Sequence, residues 1–405
     1  MTDMTRRGVL GAAAAALAAP AVLRAAGPGR VAVVGAGAFG AWTAWKLLER
    51  GHRVLLIDAW GPAHARASSG GESRMTRSAY GPDEVYARMA LDSLADWKWL
   101  SARSDLPLFH QIGVLFFFQK LEPYFEDSLA VHRRMGLPTQ LLDAPALRRR
   151  FPQIDFTGVE AGLYEPGFGA LMARRAIQSL VARFTQAGGV YRQARVAGLA
   201  PEGLRLADGE TVSADQHVFA CGPWLPKLFP DLLGRRIFPT RQEVFFFATP
   251  PGEDAYAPGR LPGWADFNEG DIYYGFPDLE ARGFKIAHDR HGPPVDPDTL
   301  ERLPSADALA DVRAFMARRF PGLAEAPLSE ARVCQYENSA NGDLLIDRHP
   351  DRADILLVGA GSGHGFKHGP AVGAYAADLI EGKRERPEPR FSLATKTEAA
   401  ARAVH

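Results

Sequence analysis

The sequence predicts an α/β protein of two domains, one doubly wound on a parallel sheet and one α+β, built on an antiparallel sheet. Three observations predict it. Residues 30–58 read as strand, glycine turn, helix, strand; residues 355–380 repeat the strand, glycine turn and helix; and between them lies a series of short aromatic-rich strands. At 405 residues the chain has room for two domains of about 100–200 residues each.

The first stretch, RVAVVGAGAFGAWTAWKLLERGHRVLLID, carries glycines at 35, 37 and 40 and ends on Asp58. In a Rossmann-like dinucleotide unit Gly35 permits the tight turn, Gly37 lets the backbone approach a pyrophosphate, and Gly40 lets helix and strand pack. The helix N-terminus adds partial positive charge and free N–H groups. Asp58 follows at the spacing, roughly 20 residues, expected of the acid that accepts a ribose hydroxyl. At this point FAD and NAD are both open.

Composition narrows the function. The chain is 46% hydrophobic and 23% charged, with 47 Lys+Arg against 47 Asp+Glu, so no charge excess points to nucleic acid or an anionic membrane. Lysine occurs only at 46, 98, 120, 227, 285, 367, 383 and 396, which makes one in an apolar, glycine-flanked setting notable. Arg6 and Arg7, the apolar run 8–23 and the small-residue end at 24–27 read as a Tat-type signal peptide over 1–29, cleaved between Ala19 and Gly27. The run is too short for a stable transmembrane helix. A periplasmic or secreted protein is expected; with an upstream start codon or a plain tail it would be cytoplasmic. Two cysteines, Cys221 and Cys334, are compatible with one disulfide or two free thiols.

Along the chain, residues 63–80 (AHARASSGGESRMTRSAY) have loop composition and carry Arg66, Arg74 and Arg77. Helical spacing covers 84–101 and 171–187, a helical region with proline breaks covers 131–150, and 113–119 reads as a buried strand. Short strands follow from 189, then a buried strand over 216–222. Strands at 241–249, 270–277 and 283–287 and a helix at 300–320 form the second domain. Residues 384–405 read as a loose tail. In ILLVGAGSGHGFKHGPAVGAYAADLI, 355–380, glycines 359, 361, 363 and 365 lie between strand and helix, with no acid-ended strand after them. This reads as a late strand of the first sheet, gripping the same ligand, which favours an enclosed FAD over an exchangeable NAD. The domain division is then 30–84, 150–225 and 330–385 for the FAD-binding domain, 85–149 and 226–329 for the substrate domain, and 386–405 for the tail.

From about Arg30 to Phe391 the chain resembles the FAD-dependent amine oxidases of the monomeric sarcosine oxidase and N-methyltryptophan oxidase family, within the D-amino-acid-oxidase-like class. GAGAFG with Asp58, SSGGESRMTRSAYG, CGPW, YYGFP, GFK, VCQY and GSGHGFKHGP occur in the family's order. The resemblance implies a monomeric oxidase that takes a hydride from the CH–NH of a secondary or N-methyl amino acid onto FAD. Oxygen then reoxidises the flavin to give hydrogen peroxide, and the imine hydrolyses. A dehydrogenase passing electrons to a quinone or carrier protein is the alternative; a flavin-containing binding protein is disfavoured by the cost of burying unused charges.

Residue by residue, the resemblance implies that Gly35, Gly37, Ala38, Phe39, Gly40, Asp58 and Ala59 hold the ADP end of FAD, with Val196, Gly222 and Trp224 in contact. Ser68, Ser69, Arg74, Gly361, Gly363, Gly365 and Phe366 lie toward the flavin, with Lys367 contacting cofactor and substrate alike. Cys334 of the C-x-Y piece would join the flavin covalently. Lys285 would promote reaction with oxygen, unless it is a strand lysine reaching solvent. Arg77 and Lys367 would hold the substrate carboxylate, and Tyr274 and Tyr336 would line the pocket. His364 is expected to be a satisfied loop histidine. The chain departs from the family at Gly70, and at Asp289 beside His288, where sarcosine oxidase has histidines; sarcosine is therefore one candidate substrate among bulkier or cyclic ones.

Overall fold

The computed structural model describes residues 28–268, 271–290 and 292–398. Most of the predicted leader, and the first residue of the strand read at 270–277, lie outside them. Among the described residues no helix is long and apolar enough to cross a membrane.

The strands Arg30–Val34 and Arg53–Asp58 pair in parallel around the helix Ala38–Glu49. On its other edge the first strand pairs in parallel with Gln216–Phe219, which pairs in parallel with Arg352–Gly359. The late glycine-terminated strand therefore belongs to the first sheet, six-stranded in all. Both faces of this sheet are covered, and its side chains alternate. Val31 and Val33 join a core with Trp42, Leu47 and Trp97, whereas Ala32 and Val34 join one with Ile57, Phe219 and Leu357.

The second sheet has eight strands and is antiparallel except where Gly263–Asn268 lies parallel to Val114–Phe118. It takes Ala161–Glu165, and all but the first two residues of Leu328–Ser339, from stretches that the sequence assigns to the other domain, because long-range pairing decides a strand's sheet. Aromatic side chains fill its core: Trp264 stacks on Phe284 and Phe315, with ring centroids 5.7 and 5.9 Å away.

Three local expectations change. The helix expected over 300–320 spans Ala306–Arg319, because Ser305 caps it, its hydroxyl accepting from the Ala308 N–H at 3.2 Å. The helical region at 131–150 resolves into Pro123–Met135, a strand at Gln140–Asp143 and a short helix at Ala144–Arg150; Gly136, left-handed at φ 67°, ends the first. The tail is not loose as far as it is described. Phe391 is buried, and Arg390 bridges Asp83 and Asp343 at 2.7 Å each.

Candidate active site

A cavity of about 450 Å³ opens above the C-terminal ends of the parallel strands, where α/β sheets bind ligands. Gly35 sits at its floor with φ 104°, and a Cβ there would fall 2.3 Å from the Ala220 carbonyl oxygen. At Gly40 a Cβ would meet the Gly35 oxygen at 1.8 Å, so the helix approaches the strand only because both positions lack side chains. The helix Ala38–Glu49 has no acidic residue in its first turn. Ser69 Oγ accepts from the Ala38 N–H at 3.0 Å, joining the serine loop to this N-terminus. Asp58 accepts from the N–H groups of Ala36, Trp60 and Gly61, at 2.8, 2.9 and 2.9 Å. It therefore shapes the turn while it lines the cavity.

Gly37, Ala38, Phe39, Ala59, Ser68 and Ser69 also line this cavity, as do Arg74, Val196, Gly222 and Trp224. Tyr336, Gly361, Gly363, Gly365 and Phe366 complete that wall. Gly40 is packed behind it. Cys334 lines a smaller adjoining cavity with Tyr274 and Lys285, and Arg74 and Tyr336 border both. Both cysteines are unpaired. The Cys334 thiol lies 3.7 Å from Arg74 Nη2, which donates to it, and 3.9 Å from the Ser68 carbonyl.

Lys285 does not reach solvent. It is buried on the strand Phe284–Asp289 and donates from Nζ to the Ser73 carbonyl at 2.8 Å and to Ser73 Oγ at 3.2 Å. The rings of Phe276, Tyr274 and Phe246 surround it at 5.1, 5.9 and 5.9 Å. Burial, then the nearby Arg74 guanidinium, push its pKa well below the usual lysine value. The Tyr274 phenol is hydrogen-bonded with Tyr336 and pushed up to about 12, chiefly by burial and then by Asp289.

Arg77 and Lys367, both buried, meet at one ring. The Arg77 guanidinium stands 4.1 Å and Lys367 Nζ 4.9 Å from the centroid of Tyr80. Arg77 donates to the Ala79 carbonyl and to Tyr124 Oη, and Lys367 to the His364 carbonyl at 2.8 Å. Burial and then Arg77 hold the Lys367 pKa well below its usual value, against Glu165 and Asp289. For Arg77, burial would lower the pKa, but Tyr124, Tyr80, Glu165 and Asp289 outweigh it and the balance is raised. Asp289 thus acts on both cations. The Tyr80 hydroxyl bridges His364 Nδ1 at 3.1 Å and His368 Nε2 at 2.7 Å, so His364 is satisfied, with its Nε2 on the Gly342 carbonyl. Gly70 has no room for the family's histidine: a Cβ would fall 2.0 Å from the His64 carbonyl oxygen.

Several lining residues escape sequence reasoning. Trp60 and His64 pack at the cavity mouth with Trp224, the Trp60 ring 4.8 Å from His64 and 4.9 Å from Trp224. Trp60 follows directly on Asp58-Ala59, which would have marked it. Cys221 and Glu337 also line the wall.

The residues present fit a dinucleotide carrying a large ring. A helix N-terminus with no acidic residue in its first turn, and glycine backbone from both ends of the chain, face one cavity. The chain is 31% identical to a monomeric sarcosine oxidase from Bacillus sp. (strain B-0618), the match covering 90% of this chain and 95% of that one. It is 30% identical to an N-methyl-L-tryptophan oxidase from Citrobacter koseri, over 89% and 96% of the two chains. Among solved structures it superposes on an L-proline dehydrogenase from P. horikoshii with a TM-score of 0.79 at 20% identity, covering 90% and 97%, a likeness of fold. Residues 30–379 match the FAD dependent oxidoreductase family, and with the cavity and the relatives this shows that the chain belongs to it.

Proposed function

We propose that the protein is an oxidase of a secondary or N-methyl amino acid, taking a hydride from the substrate CH–NH. The observation that carries this reading is the pair of buried cations, Arg77 and Lys367, brought from opposite ends of the chain onto the Tyr80 ring. A guanidinium fork beside a point charge suits a carboxylate. The glycine turns at 35–40 and 361–365 would hold FAD, which would supply the hydride acceptor and the route for electrons to oxygen, giving hydrogen peroxide. The protein orients the substrate through Arg77 and Lys367 and closes the pocket with the hydrogen-bonded Tyr274 and Tyr336. The same cations and burial disfavour the substrate ammonium, so the amine binds neutral, as hydride release requires. Lys285 supplies the polar group for the oxygen step.

A screen of N-methyl, cyclic and primary amino acids for peroxide tests the reading. Peroxide and imine in equal amounts from secondary amino acids are expected. Rapid dye reduction with little peroxide would instead favour an electron-carrier dehydrogenase, and no turnover with any amine would remove the reading.

The proposal includes a covalent bond from Cys334 Sγ to FAD and export of the folded, flavin-loaded protein behind the twin-arginine leader. Support for the bond comes from the position of the thiol beside Arg74, on the cavity that adjoins the main one. Cys334→Ser is expected to leave the native protein yellow but to release free FAD into the supernatant on acid precipitation, whereas the wild type keeps its colour in the pellet. Free FAD from both would show that no bond forms.

A further inference from the structure

Behind Arg77 and Lys367 lies a buried acid that the reaction above does not use. Glu165 ends the strand Ala161–Glu165 and is 2% exposed. Its Oε1 accepts from the Ser78 N–H at 2.8 Å, and the Ala79 N–H also donates to the carboxyl. Arg77 folds back onto the same residue, its guanidinium donating to the Ala79 carbonyl, which Tyr124 Oη also reaches at 2.6 Å. Carboxylate and guanidinium thus meet at Ala79, one through its N–H and the other through its C=O. His132 Nε2, equally buried, stands 3.9 Å from Oε1.

We propose that Glu165 is a positioning residue of the carboxylate site: it anchors the backbone behind Arg77 through the Ser78 and Ala79 N–H groups, and its buried negative charge lets Lys367 keep its proton. The proposal rests on the reading of Arg77 and Lys367 as the pair that holds the substrate carboxylate. Two neighbouring buried cations disfavour each other, and the guanidinium cannot lose its proton, so the loss falls on Lys367. Burial, then Arg77, lower the Lys367 pKa, and Glu165, then Asp289, oppose them. Glu165 is buried whereas Asp289, on Phe284–Asp289, is partly exposed, so solvent screens the second charge more than the first. Burial raises the pKa of Glu165 itself, opposed by His132, the Ser78 N–H, Arg77 and the Ala79 N–H. The other groups packed here are Tyr80 and Tyr124, on which Glu165 and Asp83 act, and His364 and His368, bridged by the Tyr80 hydroxyl. Asp83 is tied to Arg390 at 2.7 Å.

Glutamine keeps a carbonyl acceptor for the two N–H groups and removes the charge, so it separates anchoring from electrostatics. The test titrates the holoenzyme with benzoate, read by flavin absorbance, across about pH 6–10, for wild type, Glu165→Gln and Lys367→Met. At the acid end Glu165→Gln should bind no more weakly than wild type, since Lys367 is charged in both and the site has lost a negative charge. As pH rises Glu165→Gln should lose affinity first, falling about tenfold below wild type before wild type falls in its turn, the effect of one buried charge nearby. Benzamide, the uncharged counterpart, should bind wild type and Glu165→Gln alike at every pH. If Lys367→Met weakens benzoate binding but Glu165→Gln leaves the pH dependence unmoved, or loses affinity equally at every pH, the proposal is overturned and the carboxylate site stands. If Lys367→Met leaves benzoate binding unchanged, the carboxylate site falls and the proposal with it. Should Glu165→Gln fail to hold flavin, Glu165→Asp decides, because it keeps the charge and shortens the anchor. The wild-type pH dependence would then support the proposal, and a fall at lower pH or an equal loss at every pH would overturn it.

Discussion

Lys285→Met is expected to slow the reaction of the reduced holoenzyme with oxygen by about 10²–10³-fold, the loss seen when one preorganised donor is removed from a site of developing charge. The rate at which substrate bleaches the flavin should hardly change. Methionine can occupy the space between Phe246, Tyr274 and Phe276 without a cavity, so the fold is not the variable. Nζ has three N–H groups when protonated and spends two contacts on Ser73, leaving one for the oxygen step. Burial and then Arg74 lower the Lys285 pKa well below the usual value. An amine of lowered pKa carries its proton only below that pKa and loses it as pH rises through it. The oxygen step should therefore weaken with rising pH well before lysine's ordinary range, and the methionine variant should show no such fall. Stopped-flow measurement of the two half-reactions checks this; equal losses in both would remove the role assigned to Lys285.

What the sequence makes legible depends on how local its cause is. The helix Glu84–Ser101 has the bounds its spacing predicts because both ends are local events: Asp83 accepts from the Tyr86 N–H at 3.4 Å, and apolar residues recur on one face. The glycine turns at 35–40 and 359–365 are legible because closely spaced glycines stand between an apolar strand and a helix, and Gly35 and Gly363 take left-handed φ of 104° and 83°. The packed segment behind Arg384 is not. Nothing near Phe391 announces burial; it depends on Arg390 finding Asp83 and Asp343 far away in sequence. In the site, Lys285 looks like any strand lysine until the strand Phe284–Asp289 is laid beside Ser73. That Arg77 and Lys367 share the Tyr80 ring follows from tertiary packing that only a family resemblance anticipates. Glu337 leaves no trace in QYENSANGD, because its burial is made by a missing side chain at Gly359. Asp289 is visible as a departure, but its action on both Arg77 and Lys367 is a product of the fold.

Lys367→Met is expected to weaken binding of a simple carboxylate, measured as the change in flavin absorbance on titration with acetate or benzoate, by roughly thirtyfold or more. That figure corresponds to the loss of one partner of a buried, hydrogen-bonded charge pair, about 2–5 kcal/mol. Arg77→Lys should cost less than this yet more than a conservative exchange, since the bidentate fork is lost while the charge remains. In the free protein Lys367 is held low first by burial and then by the Arg77 guanidinium. An arriving carboxylate opposes both effects and raises the Lys367 pKa, so binding draws in a proton. Affinity for the anion should then be full below the free-protein pKa of Lys367 and fall as pH rises above it, until the pKa of the complex is passed. With methionine at 367 that dependence should vanish, whereas Arg77→Lys should keep it. The decisive comparison is with the matching uncharged amide, whose binding neither substitution should change by more than a small factor. If amide and carboxylate lose affinity equally, the two cations serve only to pack the Tyr80 ring, and the substrate is held elsewhere.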